Sequence, residues 1–180
     1  MMVDKNRFSK WVPYLAAVVI FAVIAVGYFS PEVLEGKVLI QHDIKQAEGG
    51  APDLGPHYRE TGENSLWASR MFGGMPTYQI HPFYANMPVL LQVRNAFELY
   101  LPSVSGHIFA CFLGFFLLLI ALGVGPWLSL LGGLMYGFSS YFMIIIGAGH
   151  IWKMWVLELI PATFAGVIWA YRGRFLLGGV

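Results

Sequence analysis

The sequence predicts an all-α integral membrane protein with about four transmembrane helices, and two observations carry this prediction. Hydrophobic residues make up 57% of the 180 residues and charged residues only 12%, which is too little charge to cover a soluble globule of this size. The apolar residues also occur in blocks that are long enough to cross a bilayer as helices. The formal charge of +1, with scattered basic residues, gives no indication of a nucleic-acid partner.

The first apolar block predicts a transmembrane helix over residues 11–29, after a basic N-terminal segment over residues 1–10. No charged residue occurs between Trp11 and Phe29, and a helix of this length spans about 28 Å, close to the hydrocarbon thickness. A secretory signal peptide with small residues at Ala25 and Gly27 is the alternative, but the run is too long and further spans follow. The basic start places the N-terminus in the cytoplasm and the next loop outside.

That outer loop covers residues 30–106, and a connection of this length is expected to be functional or folded on the membrane surface. Residues 38–40 favour a short strand or an extended piece, and residues 65–72 favour a short helix closed by Gly73 and Gly74. Apolar residues at helical spacing predict a further helix near 89–101, whose other face carries polar side chains including Glu98. We expect this helix to lie along the outer interface.

Three more spans are predicted over residues 107–124, 127–148 and 154–171. A tight turn at Gly125-Pro126 joins the first two, and residues 149–153 form a short outer loop. Gly133 and Gly137 give the span over residues 127–148, the third of the chain, a small-residue face for close helix packing. Residues 172–180 form a cytoplasmic turn followed by FLLGGV, which is typical of the start of another apolar segment, so we expect an N-terminal fragment of a longer chain.

Side chains that can carry chemistry collect on the predicted outer side of the membrane. Asp43 lies in the long loop, His107 opens the second span, His150 and Lys153 lie in the short outer loop, and Glu158 lies about one turn inside the fourth span. Ionisable residues within spans are costly and usually face a partner or a wet cavity. A carboxylate in this region is suited to act as a general base toward an acceptor hydroxyl or to bind a divalent cation.

Basic side chains of the same region favour an anionic substrate. Lys153, His150, Arg70 and Arg59 are suited to hold the phosphate of a lipid-linked donor through charge-assisted hydrogen bonds. The membrane would then hold the apolar tail of that donor.

Each of these candidates also has a simpler structural interpretation, which the sequence leaves open. Asp43 is equally typical of a solvated loop acid or a helix cap. His150 and Lys153 suit interfacial anchors at a helix start, because lysine readily extends its ammonium group to the membrane surface. Glu158 is close enough to the interface for a purely structural role.

Four stretches of the chain resemble a known family. FSPEVLEGKVLIQHDIKQ, SLWASRMFGGMPTYQI, GFSSYFMIIIGAGHIWKM and LIPATFAGVIWAYRGRFLLGG look like the opening of YfhO-like bacterial membrane proteins, in the version common in Bacteroidota. That family is similar in architecture to GT-C glycosyltransferases. These enzymes take a sugar from a polyprenyl-phosphate carrier on the outer face of the membrane, and members of the family are associated with glycosylating cell-surface polymers.

The resemblance implies the N-terminal part of a GT-C-like fold, in a multi-pass protein of the bacterial cytoplasmic (inner) membrane. Its implied partners are membrane lipid, a polyprenyl-phosphate-linked sugar donor and a cell-envelope glycan or polymer as acceptor. The fragment alone is expected to be inactive, because later spans of the family are missing from it.

The resemblance also implies roles for individual residues. GT-C enzymes carry an essential acidic residue in the first outer loop, and Asp43 occupies that place, as the catalytic group and as a ligand for any divalent cation such as Mg²⁺ or Mn²⁺. His42 beside it is a candidate for substrate binding. The Gly-His-x-x-Lys pattern of the family places His150 and Lys153 near the donor phosphate. Glu158 matches no motif and remains a substrate-binding candidate on physical grounds, as does Arg70.

Two other functions remain open. A transporter or flippase for lipid-linked saccharides predicts ionisable residues or broken helices near the bilayer midplane, and the spans offer little of this kind beyond Pro161. A non-catalytic envelope assembly protein is the other alternative, and in such a protein Asp43 would be dispensable.

Overall fold

A computed structural model describes residues 5–80 and 87–179, and its regular structure is almost entirely helical. The helices are α1 (Lys5–Tyr28), α2 (Ser30–Glu35), α3 (His42–Gly50), α4 (Leu54–Thr61), α5 (Met87–Phe97), α6 (Ser103–Leu122), α7 (Pro126–Gly137), α8 (Ser140–Ala148), α9 (Ile151–Tyr171) and α10 (Phe175–Gly178). Two short strands, β1 (Trp67–Ala68) and β2 (Met75–Pro76), form one antiparallel pair.

Three of these helices, α1, α6 and α9, are long and apolar enough to cross a membrane. The consecutive helices α7 and α8 pass the same test together as a bent pair, which gives up to four spans. The chain is therefore an all-α membrane protein, as the sequence predicts. The first four residues of the predicted cytoplasmic segment lie outside the described residues, and residues 5–10 already belong to α1.

Helix α6 occupies the centre of the bundle and contacts α1, α7 and α9. Within its apolar span 67% of the residues are buried inside the protein, against 17% for α1 and 28% for α9. Its phenylalanines pack on α1, where Phe21 lies 5.5 Å from Phe112 and 5.7 Å from Phe116 between ring centroids. Any side chain that points inward from α6 is thus enclosed by the other spans.

The predicted small-residue face of the third span is confirmed. A Cβ added at Gly133 would lie 2.7 Å from the carbonyl oxygen of Phe112 and 2.9 Å from the ring of Phe21, and one at Gly137 would overlap the Phe112 ring. Glycine at both positions therefore lets α7 approach α6 and α1 more closely than any larger residue would allow.

A proline removes one backbone hydrogen bond from α9, and a side chain of α7 replaces it. Pro161 has no N–H, so the carbonyl of Leu157, one turn earlier, lacks its helical donor. The hydroxyl of Tyr136 donates a hydrogen bond to this carbonyl at 3.0 Å. The Tyr136 ring is itself stacked on Phe115 of α6 at 4.6 Å between centroids. The contact ties α7 to α9 at the point where the helix backbone is incomplete.

The third predicted span, residues 127–148, is not one straight helix. It breaks after Gly137 into α7 and α8, which are bent by 42° relative to each other. Ser139 takes φ −56° and ψ 133° and so leaves the helical conformation at the break. Glycine and serine are weak helix formers, and both occur at this point of the chain.

One prediction for the long loop is wrong, and another is confirmed except for where the helix ends. Residues 65–72 do not form the predicted helix. Only residues 71–73 make a short 3-10 turn, and Gly73 and Gly74 adopt φ values of +78° and +117° that turn β2 back onto β1. The predicted helix near 89–101 is shorter at its C-terminus, since α5 ends at Phe97 and Leu99 and Tyr100 take left-handed φ values of 54° and 53°. Residues 38–40 belong to neither helix nor strand.

Candidate functional site

The long loop docks on the turn between α8 and α9 through Gln41. This side chain is buried, and its Nε2 donates a hydrogen bond to the carbonyl of Ile146 at 2.5 Å, across 105 positions of sequence. Ile146 lies in the last turn of α8, and its carbonyl also accepts a hydrogen bond from the N–H of Gly149 at 3.1 Å. Gln41 thereby fixes the start of α3 against the end of α8.

Gly149 makes this docking possible. Its φ of +99° is a left-handed conformation that closes α8, and an added Cβ would lie 3.0 Å from Cβ of Gln41 and 3.2 Å from Cγ1 of Ile44. A side chain at this position would therefore push α3 away from the turn.

The docking brings Asp43 to His150. Oδ2 of Asp43, in the first turn of α3, lies 3.2 Å from Nε2 of His150, which immediately precedes α9. The two side chains remain 44% and 50% exposed, so solvent and solutes can reach both. Asp43 of the long loop and His150 of the Gly-His-x-x-Lys pattern are thus in direct contact.

Two other predicted substrate-binding residues, His42 and Lys153, lie close to this pair in sequence. His42, the first residue of α3, directly precedes Asp43, and Lys153, in the first turn of α9, follows His150 by three positions; both side chains are exposed. As for the predicted cation, Asp43 and His150 supply one carboxylate and one imidazole, and no third His, Cys, Asp or Glu among the described residues completes a metal-binding group with them.

Arg70 belongs to a different contact of the loop. Oδ2 of Asp53 accepts hydrogen bonds from the backbone N–H of Ser69, at 3.1 Å, and from its hydroxyl. These hydrogen bonds, together with the nearby charge of Arg70, hold the pKa of Asp53 below its ordinary value. Arg70 therefore lies beside Asp53, and the contact joins the start of α4 to the strand pair.

A second constellation lies inside the bundle, where Glu98, His107 and Glu158 meet. Nδ1 of His107 is 2.8 Å from Oε2 of Glu158 and 3.3 Å from Oε1 of Glu98. The three side chains are almost completely buried, with Glu158 at 0% exposure. The substrate-binding candidate Glu158 thus faces α6 and the segment after α5, and it takes part in this buried group.

The backbone around the buried group is shaped for close approach. A Cβ at Gly106 would lie 3.2 Å from both Cβ and Oε2 of Glu98, and a Cβ at Gly114 would lie 2.7 Å from the carbonyl of Glu158. Glu32 of α2 accepts hydrogen bonds from the N–H groups of Val104 and Ser105, both at 3.1 Å, and so caps α6. The cap fixes the first turn of α6, just before His107.

Arg94 and Trp155 border the buried carboxylates. The guanidinium of Arg94 lies 4.0 Å from the centroid of the Trp155 ring, its Nη2 donates to Oδ1 of Asn95 at 2.7 Å, and its Nε lies 3.1 Å from Oε1 of Glu98. Burial alone would raise the pKa of Glu98, but the interactions with His107, Glu158 and Arg94 outweigh it and leave this pKa lowered.

Sequence reasoning singled out His107 and Glu158 but missed Glu98. Helical spacing assigned Glu98 to the water-facing side of α5, whereas it follows the end of that helix and is 3% exposed. The left-handed turn at Leu99 and Tyr100 redirects the chain and buries it. The available signal was Arg94, four positions earlier, whose charge pairs with Glu98.

Comparisons of the chain with family models, with curated proteins and with solved structures found no match.

Proposed function

We propose that this chain is part of a membrane glycosyltransferase of the GT-C type and that the enzyme is similar to YfhO-like proteins. In this proposal it transfers a sugar from a polyprenyl-phosphate-linked donor to a cell-envelope acceptor on the outer face of the bacterial cytoplasmic membrane. The observation that supports it is the 3.2 Å approach of Asp43 to His150, which unites the two segments that carry the resemblance.

The proposed reaction assigns each group one task. Asp43 accepts the proton of the acceptor hydroxyl as its oxygen forms a bond to the anomeric carbon of the sugar. The bond between that carbon and the phosphate oxygen breaks, and the polyprenyl phosphate leaves with the bonding electrons. His150 and Lys153 stabilise the negative charge of the departing phosphate through charge-assisted hydrogen bonds. His42 is positioned to contact the acceptor next to Asp43.

A divalent cation is compatible with this arrangement. Mg²⁺ is usually held by one or two carboxylates together with substrate phosphates, so Asp43 and the donor phosphate would supply its ligands. The ion would neutralise charge on the phosphate.

The test is sugar transfer from a radiolabelled polyprenyl-phosphate donor pool into envelope material, in cells producing the full-length protein at matched membrane abundance. Asp43→Asn should lower transfer at least about 100-fold, which corresponds to about 2.7 kcal/mol of barrier, because the amide cannot accept the proton. Glu60→Gln is the matched control, since Glu60 is an exposed acid of the same loop. Unchanged transfer in Asp43→Asn would refute the catalytic role.

A transporter or flippase for lipid-linked saccharides is the second candidate, and two features favour it. The third span is broken at Gly137, and an ionisable group built on His107 and Glu158 lies inside the bundle. This function predicts movement of a labelled lipid-linked saccharide across proteoliposome membranes that is insensitive to Asp43→Asn and abolished by Glu158→Gln. An envelope assembly role predicts that neither substitution changes transfer or transport.

A further inference from the structure

We propose that Glu98, His107 and Glu158 bind a divalent transition-metal ion of the Zn²⁺ or Mn²⁺ type inside the bundle. The inference is independent of sugar transfer, since it concerns a site separate from Asp43. It assigns a ligand to buried groups that the proposed reaction does not use.

The spacing of the three side chains suits one metal ion. One ligand atom from each residue lies within 4.8 Å of the other two, and Nδ1 of His107 is 2.8 Å from Glu158 and 3.3 Å from Glu98. Three ligands held about 2.1 Å from a tetrahedral zinc ion are about 3.4 Å apart. One imidazole and two carboxylates also suit Zn²⁺ or Mn²⁺ better than they suit Ca²⁺, which is typically bound by oxygen ligands alone.

An unpaired oxygen of Glu158 gives a second, independent indication of a ligand. Oε1 of Glu158 is completely buried and accepts no hydrogen bond from any described residue. Oε1 of Glu98 also accepts no hydrogen bond of good geometry, but the charged Nε of Arg94 lies 3.1 Å from it and Nδ1 of His107 lies 3.3 Å from it. A buried carboxylate oxygen without a partner is costly, and a cation would compensate it.

The neighbouring residues have the role of outer supports. Arg94 is held against Trp155 and Asn95, and its Nε lies 3.1 Å from Oε1 of Glu98, so its charge can orient this carboxylate. Partners of this kind fix the orientation of ligating side chains in metal sites. Metal binding needs a neutral imidazole and ionised carboxylates, so the affinity for the metal should fall as the pH is lowered. A protonated His107 that simply bridges the two carboxylates is the competing arrangement.

The test is metal binding by the full-length protein in lipid nanodiscs after treatment with EDTA. Titration with Zn²⁺ or Mn²⁺, followed by calorimetry and elemental analysis, should give one tightly bound ion per chain. Glu158→Gln and Glu98→Gln keep the size of the side chain and should each weaken binding roughly 100-fold or more. Cys111→Ala is the buried control, one turn from His107 on α6, and should bind like the wild type.

Size-exclusion profiles and circular dichroism establish that each variant is folded. If the glutamine variants do not fold, the visible spectrum of Co²⁺ bound to the wild type still decides, because nitrogen and oxygen ligands in a tetrahedral site give intense bands without thiolate charge transfer. Absence of saturable binding in the folded wild type would overturn the proposal in favour of the protonated His107 bridge. Equal affinity in the wild type and folded glutamine variants would overturn it as well.

Discussion

At the scale of single residues, Gly149 determines whether the long loop can reach α9. It combines a left-handed φ of +99° with Cβ space occupied by Gln41 and Ile44. Gly173 has a similar φ of +75° but no atom within 4 Å of an added Cβ. A comparison of alanine substitutions at the two glycines therefore separates the cost of backbone strain from the cost of displacing the loop.

We predict that Gly149→Ala destabilises the folded protein more than Gly173→Ala does. Both substitutions incur the left-handed strain of roughly 1–2 kcal/mol, but only Gly149→Ala also forces overpacking, which typically costs a further 1–3 kcal/mol. The measurement is the free energy of unfolding in mixed micelles. Equal losses in the two variants would mean that α3 does not rest against the turn before α9.

At the scale of elements, α9 depends on a hydrogen bond from a neighbouring helix. Pro161 leaves the carbonyl of Leu157 without its own donor, and Tyr136 of α7 provides the replacement. The length and apolarity of α9 could be predicted from sequence, because both follow from local composition. The partner of Leu157 could not, because it depends on how α7 packs beside α9. The break between α7 and α8 was also missed, since apolar composition continues through it.

We predict that Tyr136→Phe lowers the free energy of unfolding by about 0.6–1.7 kcal/mol, the range for hydrogen bonds between membrane helices. The loss should shrink when Pro161→Ala restores a backbone N–H for Leu157. Tyr141→Phe serves as the control, because Tyr141 is exposed and its hydroxyl makes no hydrogen bond with the described residues. Thermal unfolding of the single and double variants measures the coupling, and identical costs with and without Pro161 would exclude the compensation.

At the scale of the whole molecule, the fold brings two segments that are distant in sequence, one with Asp43 and one with His150, to the same end of the helix bundle. Composition was enough to predict the membrane class and the approximate spans, and the sequence placed Asp43 and His150 on the same side. It could not predict their direct contact, which depends on the fit of Gln41 against Ile146. Nor could it predict the burial of Glu98, which helical periodicity placed toward water. Long-range contacts of single side chains are decided by packing, which local patterns do not encode.

The central claim is that Asp43 and His150 act as one unit in sugar transfer, and a double-mutant cycle tests it most directly. The measurement is kcat/KM for transfer by the wild type, Asp43→Asn, His150→Gln and the double variant, each at matched abundance. Residues that act together show strongly non-additive losses, so the double variant should be no more than about 3-fold worse than Asp43→Asn. Losses that multiply across the cycle would contradict the account, because the two side chains would then act independently despite their 3.2 Å contact.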